Sequence, residues 1–454
     1  TQGVAQEKKI SLKESLKTAV ERNLDIHLEK INLDSTRIDL EQTRAVYEPT
    51  VTSRYSTQEE DSEPVRTTQG NAGITSKNTQ FRATMTKSED WGFGWNLDFN
   101  NFISEEDSQE SFGKRVSSAL TLGFEQQLLK GFSLDRSIPR TDEYIARGNL
   151  LISQMDMELK VADIIQNTEN AYWDLVQSIE QLKVSNQSLE LAKQLYEQNK
   201  VKIEVGTLAP IELVNTEAEI ADREREVVTN ENAVHAAEDA LKKVMNLPQD
   251  DWFTTLNPTE PLDISDLTTD LKADFQKALS QRVEMRKNMR QMENTQLTQK
   301  KRGNDLMPEL KLSGSYTSNG FDLPELRQGG SIIDSTLIDA FSEVADRDFP
   351  GWALALDLTW TPFNKAAKLN KAKADVEVRR QEIITEQTKT TIREEVRGAY
   401  RELESAKKTI KANDKALRFR EENLKAEVQK FQNGLSTNYR VAEVQKELAV
   451  AESQ

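Results

Sequence analysis

Between Thr141 and Val205 the chain carries one uninterrupted helical pattern. Ile145, Ile152, Leu159, Ile164, Ala171, Leu175, Leu182, Leu189 and Tyr196 recur at separations of seven and four with a single step of five, the periodicity of a helix face. After Gly148 no glycine or proline interrupts the run until Gly206. At 1.5 Å per residue such a helix extends about 97 Å, far beyond what a globular domain needs. Gly206 suits the left-handed conformation that closes a helix, and Pro210 suits the first turn of the next. Residues 141–246 are therefore predicted to form a helix hairpin, and something equally long has to pack beside it.

The 454 residues are 36% hydrophobic and 30% charged, with a mean hydropathy of -0.68. That is too polar for a conventional core around helices of this length. Narrow apolar stripes flanked by Glu, Gln, Lys, Asn and Asp predict helices that meet water on two sides, as in a tube wall or a coiled coil. A net charge of -16, from 60 basic and 76 acidic residues, argues against a nucleic-acid partner. The absence of cysteine excludes disulfides, thiolate nucleophiles and Cys-ligated metals. There is no signal-peptide pattern and no apolar run long enough for a membrane helix. Any membrane crossing is expected to use strands, after removal of an export signal.

The pattern occurs twice. Leu12, Leu16, Ala19 and Ile26 correspond to Leu271, Phe275, Ala278 and Met285 at an offset of 259, and Pro49 to Pro308. Past the strands the offset becomes 228, as in Ile164 with Ile392, Ala171 with Ala399, Leu175 with Leu403 and Gly206 with Gly434. This is an internal duplication. The first half holds 31 more residues (259 minus 228) between Pro49 and its hairpin tip.

In each half short helices end at proline and give way to period-two text. Trp91, Phe93, Trp95, Leu97 and Phe99 alternate with Gly92, Gly94, Asn96 and Asp98, and Val116 to Phe124 alternates likewise. Residues 57–79 and 104–114 read as polar loops. In the second half Leu310, Leu312 and Tyr316 alternate with polar residues, and Trp352, Leu354, Leu356, Leu358 and Trp360 alternate with Ala353, Ala355, Asp357 and Thr359. A strand of that length with tryptophan at both ends is the pattern of a membrane-facing barrel strand. Trp91, Trp95, Trp352 and Trp360 are the candidate interface aromatics. The helices also match in length. Segments 24–47 and 207–246, laid end to end, nearly equal segment 141–205, so two short helices stacked in a column are expected beside one long one. By the same reckoning the column 366–433 is longer than its stacked partners 284–306 and 435–454 together, which leads to the expectation that the chain is incomplete at its C-terminus.

Taken together these features resemble the TolC family of outer-membrane efflux and secretion ducts over nearly the whole chain. The fragments that carry the resemblance are Ser11-Leu12-Lys13-Glu14-Ser15-Leu16 with Asn23-Leu24-Asp25-Ile26, and the junction at Pro49. Further along they are Gln126-Gln127-Leu128-Leu129-Lys130-Gly131, with Gln127 where the family commonly has proline, then Trp360-Thr361-Pro362-Phe363 and the two tips. The resemblance implies a mixed α and β fold in a homotrimer, with an outer-membrane β-barrel continuous with a long α-helical barrel. Residues 1–23 and 247–283 would form the equatorial connector. Residues 24–49, 132–246, 284–308 and 363–454 would form the periplasmic α-helical barrel, and residues 50–131 and 309–362 the membrane strands and extracellular loops. The implied partners are a periplasmic adaptor, an inner-membrane transporter of RND, ABC or MFS type, and outer-membrane lipid of a Gram-negative bacterium. The excess in the first half reads most simply as an extra strand pair, six strands per chain. Because a wider barrel must still join a twelve-helix tunnel, twelve strands in the trimer is the expected number, with the 79–101 hairpin extending the extracellular end or packing on the barrel.

The resemblance further places adaptor docking at Val205, Gly206, Thr207 and Leu208 and at Gly434, Leu435 and Ser436. Ordinary helix termination already accounts for both glycines. It places a periplasmic gate at Phe431, Ser436, Arg440 and Glu443, with Glu212 on the first tip. Phe431 and Ser436 stand where the best-known members have tyrosine and arginine, so Arg440 paired with Glu212 or Glu443 is the expected substitute. His27 and His235 are isolated, and no nucleophile elbow, phosphate loop or zinc spacing is present. No catalysis, cofactor or metal is expected. The function read from the sequence is a passive exit duct of a tripartite efflux pump or type I secretion system. The rival is a structural or adhesive coiled-coil protein without transport.

Overall fold

A computed structural model of the chain describes residues 7–67, 70–107, 114–206, 208–260, 270–322, 325–326, 332–333 and 336–453. In chain order the first half contains β1 (Glu7–Ile10), α1 (Leu12–Arg22), α2 (Leu24–Ala45), β2 (Thr50–Thr67), β3 (Gly70–Ser88), β4 (Phe93–Asp107), β5 (Lys114–Gln127), α3 (Thr141–Glu204), α4 (Ile211–Met245) and β6 (Thr255–Pro258). The second half contains α5 (Leu271–Gln281), α6 (Val283–Asn304), β7 (Glu309–Asp322), the two-residue strands β8 (Glu325–Leu326) and β9 (Ile332–Ile333), α7 (Leu337–Asp346), β10 (Phe349–Thr359), α8 (Lys365–Gln432) and α9 (Asn438–Ser453).

The duplication is visible in the element boundaries. The starts of α5 and α6 follow those of α1 and α2 by 259 (271 minus 12, 283 minus 24), and the end of α8 follows that of α3 by 228 (432 minus 204). The same break separates each short helix pair. Asn23 takes an extended backbone after α1, and its Oδ1 accepts from the amides of Asp25 and Ile26 at 2.9 and 3.4 Å, capping α2. Arg282 takes the extended conformation at the equivalent place between α5 and α6.

The chain divides into two compact units. The first comprises residues 1–33, 153–286 and 386–454. Its core gathers Ile10, Ala19, Ile26, Ile164, Ala171, Tyr172, Leu175, Leu241, Met245, Leu247 and Leu256. β1 and β6 pair in parallel beside it. Tyr172 is fully buried, and its hydroxyl donates to the Ile10 carbonyl at 3.3 Å while accepting from the amides of Thr259 and Glu260 at 3.2 Å. One side chain thus fixes the connector strands to α3. A buried ion pair lies nearby. Lys242 Nζ is 3.0 Å from Glu238 Oε1 and donates to the Trp252 carbonyl at 2.9 Å, while Glu238 Oε1 also accepts from the Leu256 amide at 2.8 Å.

The second unit comprises residues 34–152 and 287–385. It is built on one six-stranded sheet in the order β10-β7-β5-β4-β3-β2, antiparallel throughout. Six strands in one sheet agree with the extra strand pair that the excess residues read as, and not with the four per chain that a twelve-stranded trimer implies. The β3–β4 hairpin neither extends the sheet beyond its end nor packs on its surface, because it is inserted between β2 and β5 with continuous ladders on both sides. Much of the expected loop 57–79 is also strand, since β2 runs to Thr67 and β3 starts at Gly70. Likewise β4 reaches Asp107 and β5 starts at Lys114, leaving only residues 108–113 of the second expected loop outside the described residues. The physical reason is that these polar strands are held by backbone pairing and cross-strand side-chain bonds rather than by apolar alternation. Thr57 and Thr79 hydroxyls lie 3.4 Å apart, and Thr75 Oγ1 donates to Asp61 Oδ1 at 2.7 Å.

The short turn of the inserted hairpin, residues 89–92, faces the segment that leads into α3. Asp90 pairs with Arg136 and Arg140 at 3.6 and 3.4 Å, and Gly92, at φ +85°, sits against Pro139. Asn304 locks the same segment, accepting from the Gly131 amide at 2.6 Å and donating to the carbonyls of Leu129 and Phe132 at 3.2 and 3.3 Å. Buried Glu143 completes the junction with Arg140 at 2.8 Å and Arg44 at 3.2 Å. The hydrogen bond from Arg140 holds its carboxyl below the ordinary carboxylate range, outweighing its burial, with Arg44 adding to the effect. A depressed folded value gives stability that is present above the unfolded value, near pH 4, and is lost as pH falls through the folded one. Glu143→Gln is expected to cost about 1–3 kcal/mol at neutral pH. In acid melts the variant should lose less than the parent, and parallel pH profiles would contradict this.

Candidate functional site

Strand register sorts the sheet into two chemically distinct faces. Trp352, Leu354, Leu356 and Leu358 of β10 lie beside Tyr316, Gly314, Leu312 and Leu310 of β7. The same face continues through Leu120, Leu122 and Phe124 of β5, then Trp95, Leu97 and Phe99 of β4, then Phe81, Ala83 and Met85 of β3, and ends on Val51 and Tyr55 of β2. Leu354, Leu356 and Leu358 are 62–64% exposed on it, a continuous apolar surface on a well-formed strand. The opposite face carries small and polar residues around a cavity of about 520 Å³ lined by Thr84, Asn96, Asp98, Thr121, Ser313 and Ser315, among others. On it Asp98 accepts from Arg82 Nε at 2.7 Å and Thr84 Oγ1 at 2.6 Å, and Gln80 donates to Asn100 at 2.7 Å.

The four tryptophans bracket the apolar face. Trp91 and Trp95 stand at the end where the chain enters α3. The Trp91 ring stacks on Phe93 at 4.8 Å, and Trp95 Nε1 donates to Glu89 at 3.4 Å. Trp360 lies one residue past β10 on the way to α8, and Trp352 lies eight residues earlier, about 26 Å along a strand. Both are largely exposed. Among the described residues no helix is long and apolar enough to cross a membrane.

The two helix turns belong to the other unit. Gly206 and Gly434 adopt φ +78° and +75° with open space around them, so each closes its helix as the glycine spacing predicts. At the second turn the amide of Gly434 donates to the Phe431 carbonyl at 3.2 Å and that of Leu435 to the Lys430 carbonyl at 2.8 Å, the paired bonds of a Schellman motif. Val205 and Leu435 are 68% and 78% exposed. Thr207 lies outside the described residues.

The five gate candidates fall into four separate contacts. Phe431 is buried with Leu195 and Val441, and Lys202 Nζ sits 3.4 Å from its ring centroid. Arg440 Nη1 bonds Glu443 Oε2 at 2.5 Å, one of the two partners expected for it. Glu212 instead accepts from Asn438 Nδ2 at 3.4 Å. Ser436 donates to Glu427, which also takes Lys430 at 3.1 Å. These bonds hold the Glu427 carboxyl below the ordinary range, Ser436 contributing most, and burial lowers the Lys202 ammonium.

Sequence reasoning missed Lys202, Glu427 and Asn438. The duplication offset of 228 held the signal, since it maps Lys202 onto Lys430 and Asn199 onto Glu427. Asn199 is fully buried with neither amide atom hydrogen-bonded, so the first turn lacks the carboxylate that organises the second. Among the described residues no group of three or more His, Asp or Glu is placed to hold a metal ion.

The chain thus combines long helices with an antiparallel sheet that has one apolar and one polar face. Residues 104–247 match the family model described as Outer membrane efflux protein, in keeping with the resemblance to the TolC family. No curated protein sequence matches it. Solved structures share its fold at low identity. CusC, described by its channel formation, matches with a TM-score of 0.69 at 13% identity over 97% of this chain and 87% of that one. The outer membrane protein VceC of Vibrio cholerae matches with a TM-score of 0.67 at 12% identity over 97% and 90%. The outer membrane channel CmeC of Campylobacter jejuni matches with a TM-score of 0.68 at 14% identity over 97% and 81%.

Proposed function

We propose that three copies of the chain assemble into a passive duct across the outer membrane of a Gram-negative bacterium, serving as the exit channel of a tripartite efflux pump or type I secretion system. The observation that carries this reading is the sheet with apolar and polar faces and two unpaired edges, β2 and β10. Six alternating strands leave those edges running in opposite directions, so β10 of one copy continues the antiparallel ladder on β2 of the next. Closure of three copies in this way gives a barrel of eighteen strands, with the apolar face toward lipid and the polar face toward water. Trp91, Trp95 and Trp360 occupy the inner interface and Trp352 the outer. The duct has no catalytic residues and no cofactor, and movement through it is driven by its partners. A density map of the full chain in lipid nanodiscs tests the assembly. Three-fold symmetry with eighteen strands is expected, and a twelve-stranded barrel or an open sheet would refute it.

The turns at Gly206 and Gly434, with the neighbouring Val205, Thr207, Leu208, Leu435 and Ser436, are the surfaces for a periplasmic adaptor coupled to an inner-membrane transporter, a role that rests on the family resemblance. Glu212, Phe431, Arg440 and Glu443 form the gate region, where the Arg440–Glu443 pair replaces an all-acidic ring. One exposed pair is worth under about 1 kcal/mol, and three-fold repetition multiplies that small effect. Arg440→Ala is expected to raise single-channel conductance and cation preference. Unchanged conductance and selectivity in both Arg440→Ala and Glu443→Ala would remove the pair from the gate.

A further inference from the structure

The amphipathic helix α7 lies on the apolar face of the sheet, not on the polar one. Its contacts are with Ser318 and Gly320 of β7 and with Phe99 of β4, all of which the register places on the face of Leu354 and Leu122. Beneath the helix that face changes character. Leu122, Leu120 and Tyr316 give way to Ser118, Ser318 and Gly320, and Asn101 donates to Ser118 at 2.7 Å in a buried pair. A Cβ at Gly320 would stand 2.0 Å from the Ala340 carbonyl oxygen, so this glycine lets the helix backbone touch the strand. Ser318 Oγ donates to the Val344 carbonyl at 2.8 Å, and the Phe321 amide donates to Glu343 at 2.8 Å. The N-terminus is capped by Thr336, which accepts from the Asp339 amide at 3.2 Å.

The sheet-facing side of α7 buries only Ala340 and Val344, while Leu337, Ile338 and Phe341 are 49%, 79% and 55% exposed. This is inverted for a helix in water, whose largest apolar side chains should turn inward. Between these residues and the strands runs a groove of about 430 Å³, walled chiefly by Tyr55, Phe81, Phe99, Leu337, Ile338 and Phe341. The Phe341 ring meets Phe99 edge-on at 6.0 Å, which joins the helix edge to the apolar belt. Among the described residues no wall residue is charged, so the groove suits a hydrocarbon chain.

We infer that α7 is an interfacial helix immersed at the bilayer surface, where Leu337, Ile338 and Phe341 replace the apolar belt that the sheet gives up beneath it. Fatty acyl chains of the surrounding bilayer fill the groove between helix and strands. This rests on the reading of the apolar face as lipid-facing.

The chain has no cysteine, so single nitroxide labels can be placed without background. Ile338→Cys and Phe81→Cys report on the helix edge and the groove, and Leu356→Cys on β10 reports on the sheet face alone. The full chain is reconstituted in phosphatidylethanolamine–phosphatidylglycerol vesicles, and collisions with molecular oxygen are compared with those of a water-soluble nickel chelate. The expected result is an oxygen preference several-fold above that of a label on exposed Asp414 at all three positions. Oxygen preference at Leu356 with nickel preference, or shielding from both reagents, at Ile338 or Phe81 would overturn the inference and leave the lipid-facing sheet standing. Nickel preference at Leu356 would overturn both.

Discussion

Lys242→Met is expected to lower the stability of the helical unit by about 3–5 kcal/mol, because it strands the Glu238 carboxylate in the core. Glu238 and Lys242 side chains are 7% and 4% exposed, so water cannot replace the lost partner. The damage should spread beyond the pair. Glu238 also anchors the Leu256 amide of β6, and Lys242 anchors the Trp252 carbonyl, so both ends of the connector lose their hold on α4. The double variant Glu238→Leu/Lys242→Met should recover much of the loss, because it removes the stranded charge together with its partner. Urea denaturation checks this, and a loss under about 1 kcal/mol in the single variant would mean that the pair is solvated in the native state.

Tyr172→Ala is expected to cost a comparable amount, about 3–5 kcal/mol, through the cavity left by a fully buried ring. Tyr172→Phe separates packing from hydrogen bonding. It keeps the ring but leaves the Glu260 amide without its Tyr172 partner, whereas the Thr259 amide retains its 3.1 Å bond to the Ile10 carbonyl. A cost of about 1 kcal/mol is expected for it, with amide exchange accelerated at residue 260 more than at residue 259. Equal losses in the two variants would assign the role of Tyr172 to its hydroxyl alone.

The helices were legible in the sequence because their apolar positions repeat over many turns and their ends carry strong signals. Gly206 and Gly434 close their helices with positive φ, and the offset of 259 places the starts of α5 and α6 without error. The strands were legible only where one face is apolar. β10 reads clearly through Trp352, Leu354, Leu356 and Leu358, while the polar stretch beyond Thr57 carries no alternation although it pairs with β3, with one register shift between Ser62 and Val65. Backbone pairing leaves no mark on composition, so the polar halves of β2 and β3 were read as a loop. The extra hairpin was recognised, but a barrel size carried over from the family outweighed the alternating text itself. α7 went unread because so short a helix gives periodicity no room to stand out, although Thr336 with Asp339 three residues later is a capping signal. At the turns, glycine geometry and the Arg440–Glu443 pair were legible. The partners of Glu212 and Phe431 were not, since they come from helices remote in sequence and brought together by the fold.

The central claim is that this chain forms a water-filled passage, and the most direct test is ion conduction by the purified full chain in a planar lipid bilayer. Discrete, uniform single-channel steps are expected, larger in Arg440→Ala than in the parent. A bilayer that remains electrically silent while the protein is demonstrably inserted would contradict the account and favour a structural coiled-coil protein that carries a sheet but no pore.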